Sequence, residues 1–167
     1  MLMVDHDISW EKGDLEYIAG KCAQTKGVVS GVYPKRQFNQ GMTFRVKDDE
    51  QFLIGEDRLI PAEYVSTGFI AIHREAIDKV IATMKPVIQG FYPIFHPVIV
   101  ETDKGLEHLS EDWAFCHRAH DLGIPVHLAA KPTLRHEGFY KYRAIDAVRT
   151  PHKEETIEVR GDMVHTY

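Results

Sequence analysis

A chain of 167 residues that is 44% apolar and 27% charged has enough apolar material for one domain with its own core. Its formal net charge of -5 argues against a nucleic-acid scaffold, which needs Lys and Arg clustered over phosphates. No stretch is apolar for long enough to cross a bilayer, and a carboxylate at position 5 comes too early for a signal peptide, so the expected location is the cytoplasm. The two cysteines, Cys22 and Cys116, fall in helical apolar patterns and read as buried free thiols.

In chain order, Met1-Leu2-Met3-Val4 reads as a buried strand, and Asp5-His6-Asp7 follows it directly. Strand exits are where open α/β sheets bind ligands. Hard divalent cations take carboxylate oxygens and bridge to substrate phosphates, so Asp5 and Asp7 are candidate ligands for Mg²⁺ or Mn²⁺. The same residue types also make plain turns and helix caps. Leu15, Ile18, Ala19 and Cys22 mark one face of a helix over 11–25, with Gly27 as its stop. Residues 28–33 read as a strand closed by Pro34. Residues 43–46 and 52–55 read as an antiparallel pair joined by a charged turn at 47–50. A second β-like run, 63–72, is interrupted by Gly68. Ile77, Val80, Ile81 and Met84 then mark a helix stopped by Pro86. The aromatic, proline-rich segment 91–97 is a loop that either lines a pocket or covers the core. Ser110 caps a helix whose apolar face is Leu109, Trp113, Cys116 and Ala119, running to Gly123. Residues 125–129 read as a strand, followed by 133–138. The expected domain spans 1–142, and 143–167 is a charged C-terminal tail.

Four blocks taken in order resemble a known family. Leu2-Met3-Val4-Asp5-His6-Asp7-Ile8, Ser66-Thr67-Gly68-Phe69, Leu109-Ser110-Glu111-Asp112-Trp113-Ala114-Phe115-Cys116, and Gly123-Ile124-Pro125 leading to Leu134-Arg135-His136 are similar to the catalytic half of GT-A fold glycosyltransferases. The nearest type is the family-2-like enzymes of bacteria and phages. The resemblance spans residues 1 to about 142, and the order and spacing of the blocks carry it. It implies an α/β fold with a mixed sheet flanked by helices. It also implies that the usual N-terminal nucleotide-binding, Rossmann-like half is lacking before the Asp5-x-Asp7 strand. The chain is then expected to be a fragment, a mis-started product, a partner of another polypeptide or a reduced protein, with exposed apolar sheet surface at its start that invites association.

By the same resemblance Asp5 and Asp7 hold a divalent metal on the diphosphate of a nucleotide sugar, and His136 completes that site. Asp112 is the general base on the acceptor hydroxyl in inverting members, and Glu111 beside it is first-turn charge or an outer partner. A carboxylate in the first turn of a helix sits at the positive end of the macrodipole, which favours the ionised form that a base requires. Thr67 and Gly68 are expected near the sugar, Gly68 because bare backbone permits close approach, with a β-bulge as the alternative. Phe69 and Trp113 offer ring faces, although Trp113 lies on the buried stripe. Two other readings stand beside this one: a non-catalytic or degenerate metal- or sugar-binding or interaction module, and a metal-dependent phosphohydrolase using Asp5, Asp7 and histidines. Three geometric expectations follow from the resemblance. Asp5, Asp7 and His136 meet at one cation; Asp7 matters more than Asp5; and Asp112 faces the same crevice from the start of its helix.

Overall fold

The computed structural model describes residues 1–38, 41–47, 51–103 and 105–147; residues 48–50 of the expected turn at 47–50 and residues 148–167 of the expected tail lie outside the described residues. The apolar runs assemble into a six-stranded mixed sheet. Its order is β1 (Leu2–Val4), β6 (Phe69–Ile72), β3 (Val28–Gly31), β9 (Val126–Ala129), β5 (Leu59–Tyr64) and β4 (Arg45–Val46). β3 and β9 run parallel, with Val28 opposite Val126; β1 is antiparallel to β6, and β6 to β3. Every residue of β3 and β6 is buried, as expected for strands covered on both faces.

Alternate residues of these strands feed two separate layers, because successive side chains of a strand point to opposite faces. Val28, Ile70 and Ile72 join the core beneath α2 (Arg74–Ala82) and α3 (Glu111–Asp121), where Ala76, Val80, Phe115 and Ala119 are buried. Val29, Phe69 and Ala71 join the core beneath α1 (Asp14–Thr25), around Ile18 and Cys22. The protein is thus an α/β structure with a mixed sheet between helices, as expected. Both cysteines are buried and free. Among the described residues no helix is long and apolar enough to cross a membrane.

Several local expectations change. α1 begins at Asp14, because Gly13 (φ 97°) takes the left-handed conformation immediately before it, and it ends on a left-handed Lys26 (φ 53°) rather than on Gly27. Gly27 serves a different need: a Cβ there would lie 2.2 Å from the Pro125 carbonyl oxygen. Ala19 is exposed, so the buried face of α1 is narrower than its spacing suggested. Residues 52–55 form no strand; β4 pairs instead with β5, Arg45 opposite Tyr64. The Arg45 guanidinium lies over the rings of both Tyr64 and Trp113, which holds β4 in that place.

Segment 91–97 covers the core. Phe95 stacks on buried Phe115 at 4.8 Å, and Arg118 donates to the Ile94 and His96 carbonyls. An unforeseen hairpin, β7 (Val98–Thr102) and β8 (Gly105–Leu109), leads into α3. A small second sheet joins β2 (Ile8–Ser9), β10 (Arg135–His136) and β11 (Tyr142–Arg143). Packing continues past residue 142: a 3-10 turn, Ala144–Ala147, buries Asp146 and Ala147.

Candidate functional site

The crevice at the exit of β1 is built by two backbone connections. The Asp5 N–H donates to the Gly68 carbonyl at 2.9 Å, tying the strand exit to the turn before β6, and the Glu137 N–H donates to the Asp7 carbonyl at 2.7 Å. With Ile8 paired opposite His136, the second connection sets residues more than a hundred positions apart side by side.

The side chains of Asp7 and His136 meet there, Oδ2 to Nε2 at 3.4 Å, each with only 16% of its side chain exposed. The other ring nitrogen of His136, Nδ1, lies 2.9 Å from the Pro34 carbonyl oxygen. A carbonyl only accepts, so Nδ1 carries a hydrogen in this contact, and Nε2 is the ring nitrogen turned toward Asp7. A ring nitrogen and a carboxylate oxygen thus converge, with a backbone carbonyl holding the far side of the ring, the arrangement usual for a metal-binding histidine. The Tyr33 ring packs edge-on to the imidazole at 5.7 Å and holds its plane. Arg36, not singled out in the sequence, places Nη1 3.2 Å from the same Asp7 Oδ2.

Asp5 stands apart from this pair. Its exposed carboxylate lies over Gly68, where a Cβ would come within 3.2 Å of Oδ2 and 2.5 Å of the Tyr33 hydroxyl oxygen. The Gly68 N–H donates to that hydroxyl at 2.8 Å. The bare backbone at Gly68 is therefore filled by Tyr33 and Asp5; Gly68 is buried, in a turn with half-buried Thr67. Among the described residues, no three His, Cys, Asp or Glu side chains are grouped so as to hold a metal ion. Asp7 and His136 are brought together, and Asp5 does not join them as a third ligand.

Asp112 occupies the first turn of α3, half-buried, after the N-cap Ser110. The Ser110 hydroxyl and the Trp113 N–H both donate to its Oδ1, which leaves Oδ2 out of either bond. Leu109, Cys116 and Ala119 are fully buried, as their spacing required. Trp113 stacks on Tyr64 at 4.7 Å and Phe69 is fully buried, so both rings serve packing. Glu111 is exposed at the helix start.

Tyr33 ties the parts together electrostatically. Burial pushes its hydroxyl up to about 12; hydrogen bonding with the Gly68 N–H and with the Ser66 side chain opposes this, and the charges of Asp5 and Asp112 add to the rise. Both carboxylates therefore act on this one hydroxyl. The signal for the missed residues was present in Tyr33-Pro34-Lys35-Arg36, a strand exit followed by two cations.

No family model and no curated protein sequence matches the chain. Among solved structures, A197 from STIV is similar, with a TM-score of 0.54 over 90% of this chain at 20% sequence identity. The chain spans 66% of that protein's length. At that identity the likeness concerns the fold, and it supports an α/β architecture across nearly all of the chain.

Proposed function

We propose that this chain acts as the metal- and acceptor-binding part of a cytoplasmic glycosyltransferase, moving a sugar from a nucleotide-sugar donor to an acceptor hydroxyl with Mn²⁺ or Mg²⁺ on the donor diphosphate. The observation that carries the reading is the Asp7–His136 pair, 3.4 Å apart with the far side of the imidazole held by Pro34. Two protein ligands suit these cations, which keep waters and substrate phosphates in their remaining positions instead of an all-protein cage. The donor diphosphate then completes the coordination of the cation. When bound, such a cation neutralises charge developing on the departing nucleoside diphosphate.

The residues of the chain do the rest. Asp112 accepts the proton of the acceptor hydroxyl through Oδ2, its Oδ1 being fixed by Ser110 and Trp113. Asp5 adds negative charge near the Tyr33 hydroxyl. Thr67 stands in the turn before β6, and Glu111 at the start of α3.

A second reading, a metal- or sugar-binding module without catalysis, is favoured by the same fact that leaves only two of the three expected ligands together. One experiment separates them. The full chain is incubated with uridine, guanosine and thymidine diphosphate sugars and Mn²⁺, and released nucleoside diphosphate is measured beside Mn²⁺ binding. Cation-dependent release from at least one donor, lost in Asp7→Asn and His136→Ala, is the expected result. Mn²⁺ binding without release from any donor moves the protein to the second reading, and no Mn²⁺ binding, with or without a donor, overturns the transferase reading and leaves only a sugar-binding module.

A further inference from the structure

We infer that Arg36 is an exchangeable counter-charge: it neutralises Asp7 in the empty site and transfers to the phosphates of the incoming anion when a divalent cation takes its place. The inference rests on reading Asp7 and His136 as cation ligands, and goes beyond it by giving the site a built-in competitor that becomes a phosphate-binding residue.

The geometry places all the participants on one oxygen. Asp7 Oδ2 faces His136 Nε2 at 3.4 Å and Arg36 Nη1 at 3.2 Å. A divalent cation entering between Oδ2 and Nε2 meets the guanidinium charge across a few ångströms, in a place where Asp7 and His136 are mostly shielded from solvent. That repulsion favours departure of the group that is free to move. Arg36 is that group, because 56% of its side chain is exposed, whereas Asp7 and His136 are each 16% exposed. The Arg36 stem passes close to Gly138, where a Cβ would lie 3.7 Å from Cδ, an ordinary contact.

The same loop has two tasks. The Pro34 carbonyl holds the far side of the His136 ring, and Arg36 stands two residues further on. The loop therefore prepares the imidazole for a cation while keeping the carboxylate neutralised until one arrives. A guanidinium presents its donors in a rigid fork that matches phosphate oxygens, often two at a time, and a lysine ammonium does not. Once displaced from Asp7, Arg36 is within a side chain's reach of any phosphate bridged to the cation.

Titration calorimetry on the full chain, with Mn²⁺ alone and with inorganic pyrophosphate in the presence of Mn²⁺, tests this. Arg36→Gln removes the competitor and should tighten Mn²⁺ binding by about threefold to tenfold, the range expected for a half-exposed ion pair plus relieved like-charge repulsion. The same variant should weaken pyrophosphate binding by roughly tenfold, because a charge-assisted bond is lost. Arg36→Lys should leave Mn²⁺ affinity near that of the wild type while recovering only part of the pyrophosphate affinity. Circular dichroism checks that both variants keep the fold. If wild type binds Mn²⁺ and Arg36→Gln binds it no more tightly, or binds pyrophosphate equally well, the exchange is wrong while the cation site stands. If neither protein binds Mn²⁺, the cation reading fails and the exchange with it.

Discussion

Gly68→Ala is expected to disturb the crevice most for the smallest chemical change. The new Cβ would sit 2.5 Å from the Tyr33 hydroxyl oxygen, 2.9 Å from Cζ and 3.2 Å from Asp5 Oδ2, where ordinary contact begins near 3.4 Å. Tyr33 is 3% exposed and its ring abuts His136, so it has little room to retreat. Forcing a methyl into such packing costs about 1–3 kcal/mol. Displacing the hydroxyl also removes the 2.8 Å bond from the Gly68 N–H, a further loss of about 1 kcal/mol. Urea unfolding of the full chain should therefore show Gly68→Ala less stable by roughly 2–4 kcal/mol. Tyr33→Phe removes the oxygen but keeps Cζ, so the double variant should be more stable than the sum of the single losses by about 1 kcal/mol. A change below about 0.5 kcal/mol in Gly68→Ala, or strict additivity with Tyr33→Phe, would refute the close packing of these groups.

Other outcomes follow from the same structure. Gly27→Ala places its Cβ 2.2 Å from a backbone oxygen, that of Pro125, which no side-chain rotation relieves; we expect a loss of at least about 3 kcal/mol, read by thermal melting, and a change within noise would contradict the approach of these segments. Burial holds the imidazoles of His120 and His127 below the usual value of 6.5, with Lys47 adding to the effect on both. Their unfolded forms take up protons first on acidification, so stability should fall as pH drops below about 6.5, and His127→Gln should flatten that slope. An unchanged slope between pH 7 and 5 would show that this ring titrates alike in both states. Asp112→Asn should abolish transfer while leaving Mn²⁺ affinity within about twofold of wild type, because its shape is kept and its basicity lost; transfer near the wild-type rate would remove it as the base.

Legibility of the chain followed the range of the interactions. The central strands and α3 were readable because Val28, Val29 and Cys116 belong to strong local patterns and Ser110 stands at the N-cap position, although its hydroxyl donates to Asp112 instead of accepting a helix N–H. Asp112 at the start of α3 was likewise a local matter. The hairpin of Val98–Thr102 and Gly105–Leu109 went unread because Pro97 and the aromatic run before it made the region look irregular. β4 was assigned the wrong partner because its choice of β5 depends on Arg45 covering Tyr64 and Trp113, neither of them near it in sequence. The meeting of Asp7 with His136 was anticipated only through family resemblance, since the ladder joining Ile8 to His136 crosses most of the chain. Arg36 escaped notice for the same reason, because its partner lies on another loop.

The most direct test of the account is pulsed electron paramagnetic resonance of Mn²⁺ added to the full chain with inorganic pyrophosphate. If Asp7 and His136 hold the cation, the spectrum carries nitrogen modulation from a directly bound imidazole, and His136→Gln removes it while Asp7→Asn weakens Mn²⁺ binding by about tenfold or more. Tightly bound Mn²⁺ without nitrogen modulation, or modulation that survives in His136→Gln, would contradict the site.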